Sequence, residues 1–177
     1  EYLPMPKESE QSYHYFMHHH LFDHIDIDPK NIHIPDGTLE GDEIDKFCRD
    51  YEKAIKAAGG IDLQILGIGR TGHIGFNEPG SFITSQTRKV FLNDLTIKDA
   101  IKDFGSRNLV PTKAITMGVG TIMQARRVIL MAWGEKKAPI IKATVEGRVS
   151  DSVPATFLQM HSNVQFIIDE SAASELT

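Results

Sequence analysis

A group of residues able to transfer protons follows the apolar run 61–66. The segment 66–81 combines several glycines with His73, Asn77 and Glu78. Histidine titrates near neutral pH, and a carboxylate can hold its imidazole in one tautomer, so this pair suits general acid-base catalysis. The glycines permit close approach of a ligand to the backbone. The segment therefore predicts an active-site loop at the carboxyl end of a strand, where open α/β sheets bind ligands.

The same segment also fits the dinucleotide-binding fingerprint. Three glycines and a carboxylate about 20 residues later match that pattern: Gly67, Gly69, Gly72 and Asp94. In that motif the third glycine opens a helix, whereas Pro79 follows soon after and disfavours helical geometry at Glu78. The spacing favours a folded loop that brings His73 and Glu78 together. An ordinary glycine-rich turn with a solvated histidine is the alternative.

Length and composition indicate one globular domain, residues 1–177, that is 41% hydrophobic. The formal charge is -5, and the basic stretches 126–127 and 136–137 are two residues long, which argues against nucleic acid or an anionic membrane as a partner. The lone Cys48 is expected in the core and cannot form a disulfide within one chain. With no recognisable signal sequence or apolar run of about 18 residues, we expect a cytoplasmic protein.

Hydrophobic periodicity predicts an α/β fold. Two early helices are expected, one over residues 10–24 and one with an apolar face between residues 44 and 58, ended by the glycines at 59 and 60. Short apolar runs indicate buried parallel strands at 61–66, 114–117, 128–133 and 164–168. Further helices are predicted at 99–104, 121–125, 138–145, 155–161 and from Glu170 onward. The expected architecture is a Rossmann-like, mostly parallel sheet flanked by helices.

Residues 67–79 resemble the signature loop of the glucosamine-6-phosphate deaminase and isomerase family. Further segments resemble motifs of that family in the same order: 12–17, 31–37, 114–121 and 143–147. Several ordered motifs are more specific than one glycine pattern, and they favour the sugar-phosphate isomerase superfamily over dehydrogenases. The resemblance implies conversion of glucosamine 6-phosphate to fructose 6-phosphate and ammonia in amino-sugar catabolism, with no metal or organic cofactor.

The resemblance also assigns catalytic roles within the loop. His73 would open the sugar ring by exchanging a proton with the ring oxygen, a task suited to a group that titrates near neutral pH. Glu78 would orient and polarise the imidazole, and Thr71 completes the candidate catalytic group. As an alternative, Glu78 is a carboxylate that only caps loop backbone donors.

Substrate binding is implied for a second set of residues. The positions that match the family are Gly67, Gly69, Gly72, Lys137 and Lys102. Lys137 is predicted to follow a strand at the start of a helix, whose amino end favours the same phosphate. Arg107 is an alternative to Lys102 for the second phosphate contact.

Two positions depart from the family's pattern. Well-studied members carry an aspartate where this chain has Thr71, preceded by Arg70. A substrate or activity different from that of those members is therefore an alternative for this chain. At an allosteric site known in some relatives, Arg88 and Ser81 persist while Val90 replaces a basic residue.

The first residues lead to a further expectation. In the family, the aspartate that moves a proton between the first two sugar carbons immediately precedes the pair equivalent to Glu1 and Tyr2, and a glycine-rich phosphate loop lies further upstream. We therefore expect a fragment that corresponds to the carboxyl-terminal part of a deaminase domain, with a sheet incomplete at its amino-terminal side and no deaminase activity of its own.

Other functions remain open at this stage. The same fold could serve as a sugar-phosphate-binding sensor module or as a phosphogluconolactonase-like hydrolase, and a homo-oligomer is possible. Histidines at i and i+4 between His14 and His24 could chelate a transition metal, but further ligands are not evident, so no metal site is predicted.

Overall fold

The computed structural model describes all residues, 1–177. Its strands are β1 (Tyr2–Leu3), β2 (Leu63–Leu66), β3 (Arg88–Phe91), β4 (Lys113–Thr116), β5 (Arg127–Ala132) and β6 (Val164–Ile168). Its α-helices are α1 (Tyr13–His20), α2 (Asp42–Ala57), α3 (Asp94–Phe104), α4 (Val119–Met123) and α5 (Ala138–Val145). Short 3-10 helices cover Phe22–His24, Pro29–Asn31, Arg107–Leu109, Glu135–Lys137 and Pro154–Met160.

One three-stranded sheet is parallel and has the order β2-β5-β6. Its central strand β5 alternates along its length, so that Val128, Leu130 and Ala132 point into the largest core cluster, which includes Ile141 of α5 and Ile74 of the glycine-rich loop. Burying these side chains ties the loop to the sheet and to α5. The predicted α/β fold with a parallel sheet flanked by helices is thus confirmed.

The other three-stranded sheet is antiparallel and has the order β1-β4-β3. The prediction that residues 114–117 form a parallel strand is therefore wrong in direction, although the strand exists and is buried on both faces. Ala114 packs in one cluster with Ile97 of α3, and Ile115 packs in another with Ile44 of α2. An apolar run indicates that a strand is buried on both faces. It does not indicate whether the neighbouring strands run parallel or antiparallel to it.

The helices follow the sequence signals with some shifted ends. Helix α1 is shorter than predicted because Ser12 caps it, its Oγ accepting a hydrogen bond from Tyr15 N at 2.9 Å. Helix α3 begins earlier than predicted because Asn93 caps it at Leu95 N, also at 2.9 Å. Helix α5 has the predicted bounds, and Cys48 is buried as expected.

The predicted final helix from Glu170 is wrong, because the last residues form turns only. Asp169 organises this segment by accepting hydrogen bonds from Ala172 N at 2.8 Å and from Gly134 N at 3.0 Å. Only Ala172 of the segment is buried, so no apolar stripe stabilises a longer helix there. None of the helices in the structure is long and apolar enough to cross a membrane.

Candidate active site

The loop after β2 folds back on itself beneath the imidazole of His73. Gly69 N donates to His73 O at 3.0 Å, and Gly72 N donates to Gly69 O at 2.9 Å. A Cβ at position 69 would overlap three atoms of the His73 ring, so only glycine leaves room for the ring. No helix begins at Gly72, which agrees with the predicted folded loop and not with a dinucleotide-binding helix.

A buried amide holds the second half of the loop. Asn77 is fully buried, and its Nδ2 donates to Ile74 O and to Met117 O, both at 2.8 Å. Its Oδ1 accepts a hydrogen bond from Arg88 Nη1 at 2.8 Å. Both ends of the amide are therefore satisfied, and the loop turns so that Glu78 returns to His73.

Four side chains meet where the loop closes: His73, Glu78, Thr71 and Thr96. His73 Nδ1 lies 2.9 Å from Thr71 Oγ1, 3.3 Å from Thr96 Oγ1 and 3.3 Å from Glu78 Oε2. Thr71 Oγ1 also donates to Glu78 Oε2 at 2.9 Å, and Thr96 Oγ1 donates to Glu78 Oε1 at 2.5 Å. The structure thus brings together the three predicted catalytic residues and adds Thr96, which the sequence analysis missed.

This hydrogen-bond network determines the tautomer of His73. A hydroxyl has one proton, and both threonines give theirs to Glu78, so every oxygen beside Nδ1 must accept a hydrogen bond there. Nδ1 therefore carries the proton. Nε2 has no hydrogen-bond partner within the chain, and His73 lines a large cavity, so its unprotonated nitrogen is free to act on a ligand.

Glu78 is held in its ionised form. Burial on its own would raise the pKa of this carboxyl, but hydrogen bonds from His73, Thr96 and Thr71, together with the positive charge that His73 carries when it is protonated, outweigh burial, so the pKa lies below its ordinary value. Asn93 N adds a hydrogen bond to Oε1 at 3.3 Å. The carboxylate therefore does more than cap the loop: it carries a negative charge next to the imidazole.

The cavity above His73 has a volume of about 650 Å³ and is lined by 24 residues. Gly67 and Gly69 of the loop line it, as predicted, and a Cβ at Gly67 would meet only open space. Gly72 does not line it; its Cα faces Val153 behind the loop, and its φ of +78° requires glycine. The structure therefore gives Gly72 a conformational role in the loop, and its contact with the substrate stays a prediction.

Positively charged side chains also line this cavity. Lys137 and Lys102 are both in its lining, and their contact with a phosphate stays a prediction. Lys137 Nζ donates to Ile68 O at 2.6 Å, and burial lowers the pKa of this amine, with nearby Arg70 and Lys102 lowering it further and Asp99 opposing them. The Lys102 amine forms no hydrogen bond or ion pair within the chain.

Arg107 is not part of this cluster. Its guanidinium pairs with Asp94 at 2.8 Å on the surface, outside the cavity lining. The structure therefore does not bring Arg107 together with Lys102 and Lys137. The 3-10 turn Arg107–Leu109 begins after α3 has ended, so this arginine cannot share the helix face that carries Lys102.

Only the structure shows that one face of α3 contributes three side chains to the cavity: Thr96, Asp99 and Lys102. They lie at three-residue intervals on α3 and share the face that lines the cavity. The signal was present in the sequence, but the helix was predicted to start at Asp99, which left Thr96 outside it. Arg70 was also missed as a cavity residue.

A smaller cavity of about 270 Å³ lies on the other side of the loop. Arg88 and Ser81 line it with Val90, and Arg88 Nη2 donates to Ser81 Oγ at 3.0 Å. The two residues that match the relatives' allosteric site thus lie together.

The histidine-rich helix α1 lies at the surface. The rings of His14 and His18 stack with centroids 4.5 Å apart, and His18 Nδ1 pairs with Asp23 at 2.9 Å. No group of three or more histidine, cysteine, aspartate or glutamate side chains in the structure could hold a metal ion.

Comparison with known proteins identifies the family to which the chain is similar. A family profile described as glucosamine-6-phosphate isomerases/6-phosphogluconolactonase matches residues 4–167. A glucosamine-6-phosphate deaminase from Thermoanaerobacter sp. (strain X514) is 50% identical over 98% of the chain and 68% of its own length. One from Shewanella woodyi is 51% identical over 100% of the chain and 66% of its own length. The chain thus spans about two thirds of these curated relatives.

Solved structures of the same family are also similar to this chain. A monomeric glucosamine-6-phosphate deaminase superposes with a TM-score of 0.94 at 40% identity, covering 98% of this chain and 71% of that one. A 6-phosphogluconolactonase from Trypanosoma brucei superposes with a TM-score of 0.71 at 22% identity, covering 99% of this chain and 72% of that one, which shows a shared fold alone. The chain belongs to the glucosamine-6-phosphate isomerase/6-phosphogluconolactonase family.

Proposed function

We propose that this chain carries the ring-opening and phosphate-binding parts of a glucosamine-6-phosphate deaminase, an enzyme that converts glucosamine 6-phosphate to fructose 6-phosphate and ammonia. The observation that supports this most is the His73 imidazole, held by Glu78 and two threonines, with its free Nε2 on a cavity that Lys102 and Lys137 also line. The deaminase relatives, at about half identity, point to the same activity.

In this proposal His73 is the catalytic residue for ring opening. The closed sugar must exchange a proton between its anomeric hydroxyl and its ring oxygen, and the unprotonated Nε2 can accept that proton and return it. The imidazolium formed in between would be stabilised by the ionised Glu78 at 3.3 Å. Glu78, Thr71 and Thr96 act through His73 and are positioning residues.

The phosphate would bind at the cationic side of the cavity. Thr96 and Lys102 lie six residues apart on one face of α3, which separates them by about 9 Å along the helix axis. A sugar whose ring oxygen is near His73 can therefore extend its phosphate toward Lys102 and Lys137. The half-buried Lys137 amine, already paired with Ile68 O, retains donors for phosphate oxygens.

The test is release of ammonia from glucosamine 6-phosphate by the polypeptide that the complete reading frame encodes. We expect turnover that Lys137→Met reduces mainly through a higher KM, because the lysine contacts the phosphate and not the reacting carbons. Binding of hexose phosphate without turnover would instead identify a sensor module. Faster hydrolysis of 6-phosphogluconolactone than deamination would identify a lactonase.

A further inference from the structure

Arg70 is a third cation in the cavity, and neither a predicted role nor the proposed mechanism uses it. It lies on the loop between Gly69 and Thr71, and it lines the cavity together with Lys102 and Lys137. All three positive charges are close enough to interact, since both Arg70 and Lys102 act on the Lys137 amine. The lining also contains three carboxylates, Glu1, Asp99 and Asp103, so the cations form a local cluster and not an excess of positive charge over the whole cavity.

The guanidinium of Arg70 is held in place by one hydrogen bond only. Its Nη1 donates to Asp99 Oδ1 at 2.9 Å, and no other hydrogen bond of its side chain forms within the chain. An arginine has five N–H donors in a planar fork, so four remain for a ligand. Asp99 belongs to the α3 face that carries Lys102 one turn further along, so it fixes the guanidinium beside that lysine.

We propose that Arg70 is a specificity-determining residue that binds the phosphate monoester of the substrate, positioned by Asp99 and acting together with Lys102 and Lys137. This inference rests on the proposed function, since it names the group that selects a sugar phosphate over a neutral sugar. A guanidinium can give two parallel hydrogen bonds to phosphate oxygens, whereas a lysine acts as a point charge. Arg70 would therefore orient the phosphate through directed hydrogen bonds, whereas the two lysines contribute positive charge.

The chain contains a matched control for this proposal. Arg107 also forms an ion pair with an aspartate, Asp94, at 2.8 Å, but it lies outside the cavity. The side chains of Arg70 and Arg107 are 50% and 56% exposed. Replacing either by glutamine removes the same charge from the protein, so only a local contact with the ligand separates the two variants.

The experiment is isothermal titration calorimetry with three probes: an open-chain hexitol 6-phosphate, which has no carbonyl to react, inorganic phosphate and the unphosphorylated hexitol. We expect Arg70→Gln to weaken binding of the hexitol 6-phosphate about 10- to 100-fold, the usual effect of losing a charge-assisted hydrogen bond. Arg107→Gln should change it less than about twofold, as expected for an exposed charge far from the ligand. Arg70→Lys, which retains the charge without the fork, should fall between the wild type and Arg70→Gln.

Several results would overturn the inference. They are equal weakening by Arg70→Gln and Arg107→Gln, an affinity of Arg70→Gln and Arg70→Lys that matches the wild type, or a wild type that binds neither phosphate probe. If Arg70→Gln does not fold, Arg70→Lys decides the question alone. Because these titrations involve no turnover, a protein that binds the phosphate through Arg70 but releases no ammonia would contradict the proposed function and leave this contact standing.

Discussion

Replacing Thr96 by valine tests the hydrogen-bond network around His73. The substitution keeps the size and β-branching of the side chain and removes only the hydroxyl. Thr96 is 9% exposed, and its Oγ1 donates to Glu78 Oε1 at 2.5 Å, so the loss occurs in a buried site next to a carboxylate. That oxygen would keep only the longer hydrogen bond from Asn93 N, at 3.3 Å.

A hydrogen bond to a charged partner contributes about 1.5–3 kcal/mol to stability. We therefore expect Thr96→Val to lower the free energy of unfolding at neutral pH by about that amount. Because the hydroxyl stabilises the ionised form, the pKa of Glu78 should rise toward its ordinary value. A lowered pKa contributes stability above the pKa of the unfolded chain, and that stability is lost as pH falls through the folded pKa. In the variant this loss begins at the same pH, because the unfolded chain is unchanged, but it is smaller and is complete at a higher pH.

The assay combines urea denaturation across the acid range with the pH profile of ammonia release. We expect the acid limb of the profile to move to higher pH and kcat to fall about 10-fold, less than the roughly 100-fold or more that follows loss of a general acid-base group, because His73 itself remains. Thr121→Val is the matched control, since Thr121 Oγ1 donates to Glu52 Oε1 at 2.6 Å in a buried position outside the cavity. If the two variants lose equal stability at every pH and both keep the wild-type pH profile, the Thr96 hydroxyl has only a structural role.

Three further predictions address the loop and its carboxylate. His73→Asn should lower kcat/KM for glucosamine 6-phosphate at least about 100-fold while leaving binding of the hexitol 6-phosphate within twofold, and near-normal turnover would remove His73 from the mechanism. Gly69→Ala should displace the imidazole, visible as a shift of its NMR signals, whereas Gly67→Ala, whose methyl group meets open space, should not; an unmoved ring in both would contradict the packing described here. Glu78→Gln removes the group with the lowered pKa, so stability should depend less on pH in the acid range, and an unchanged dependence measured by urea denaturation would show that Glu78 is not held ionised.

Local signals explain what the sequence analysis predicted correctly. Glycines next to a histidine and a carboxylate, followed by Pro79, require a folded loop and exclude a helix there, because backbone freedom and proline geometry are properties of single residues. The bounds of α5 and the alternating burial of β5 follow from their own apolar patterns, whereas β6 forms where its apolar run predicts a strand but has no buried residue. The pairing of His73 with Glu78 needed only a short loop, so it was predictable as well.

Tertiary structure decided the remaining features, because they depend on which surfaces meet. The antiparallel partners of β4 lie far from it in the chain, and an apolar strand does not encode their direction. The hydrogen bonds of Glu78 with Thr96, and of Arg70 with Asp99, form only after α3 packs over the loop. The sequence by itself therefore determined the presence and chemistry of the proton-transfer loop, while the packing of α3 decided which hydroxyls hold the imidazole and which cations face the cavity.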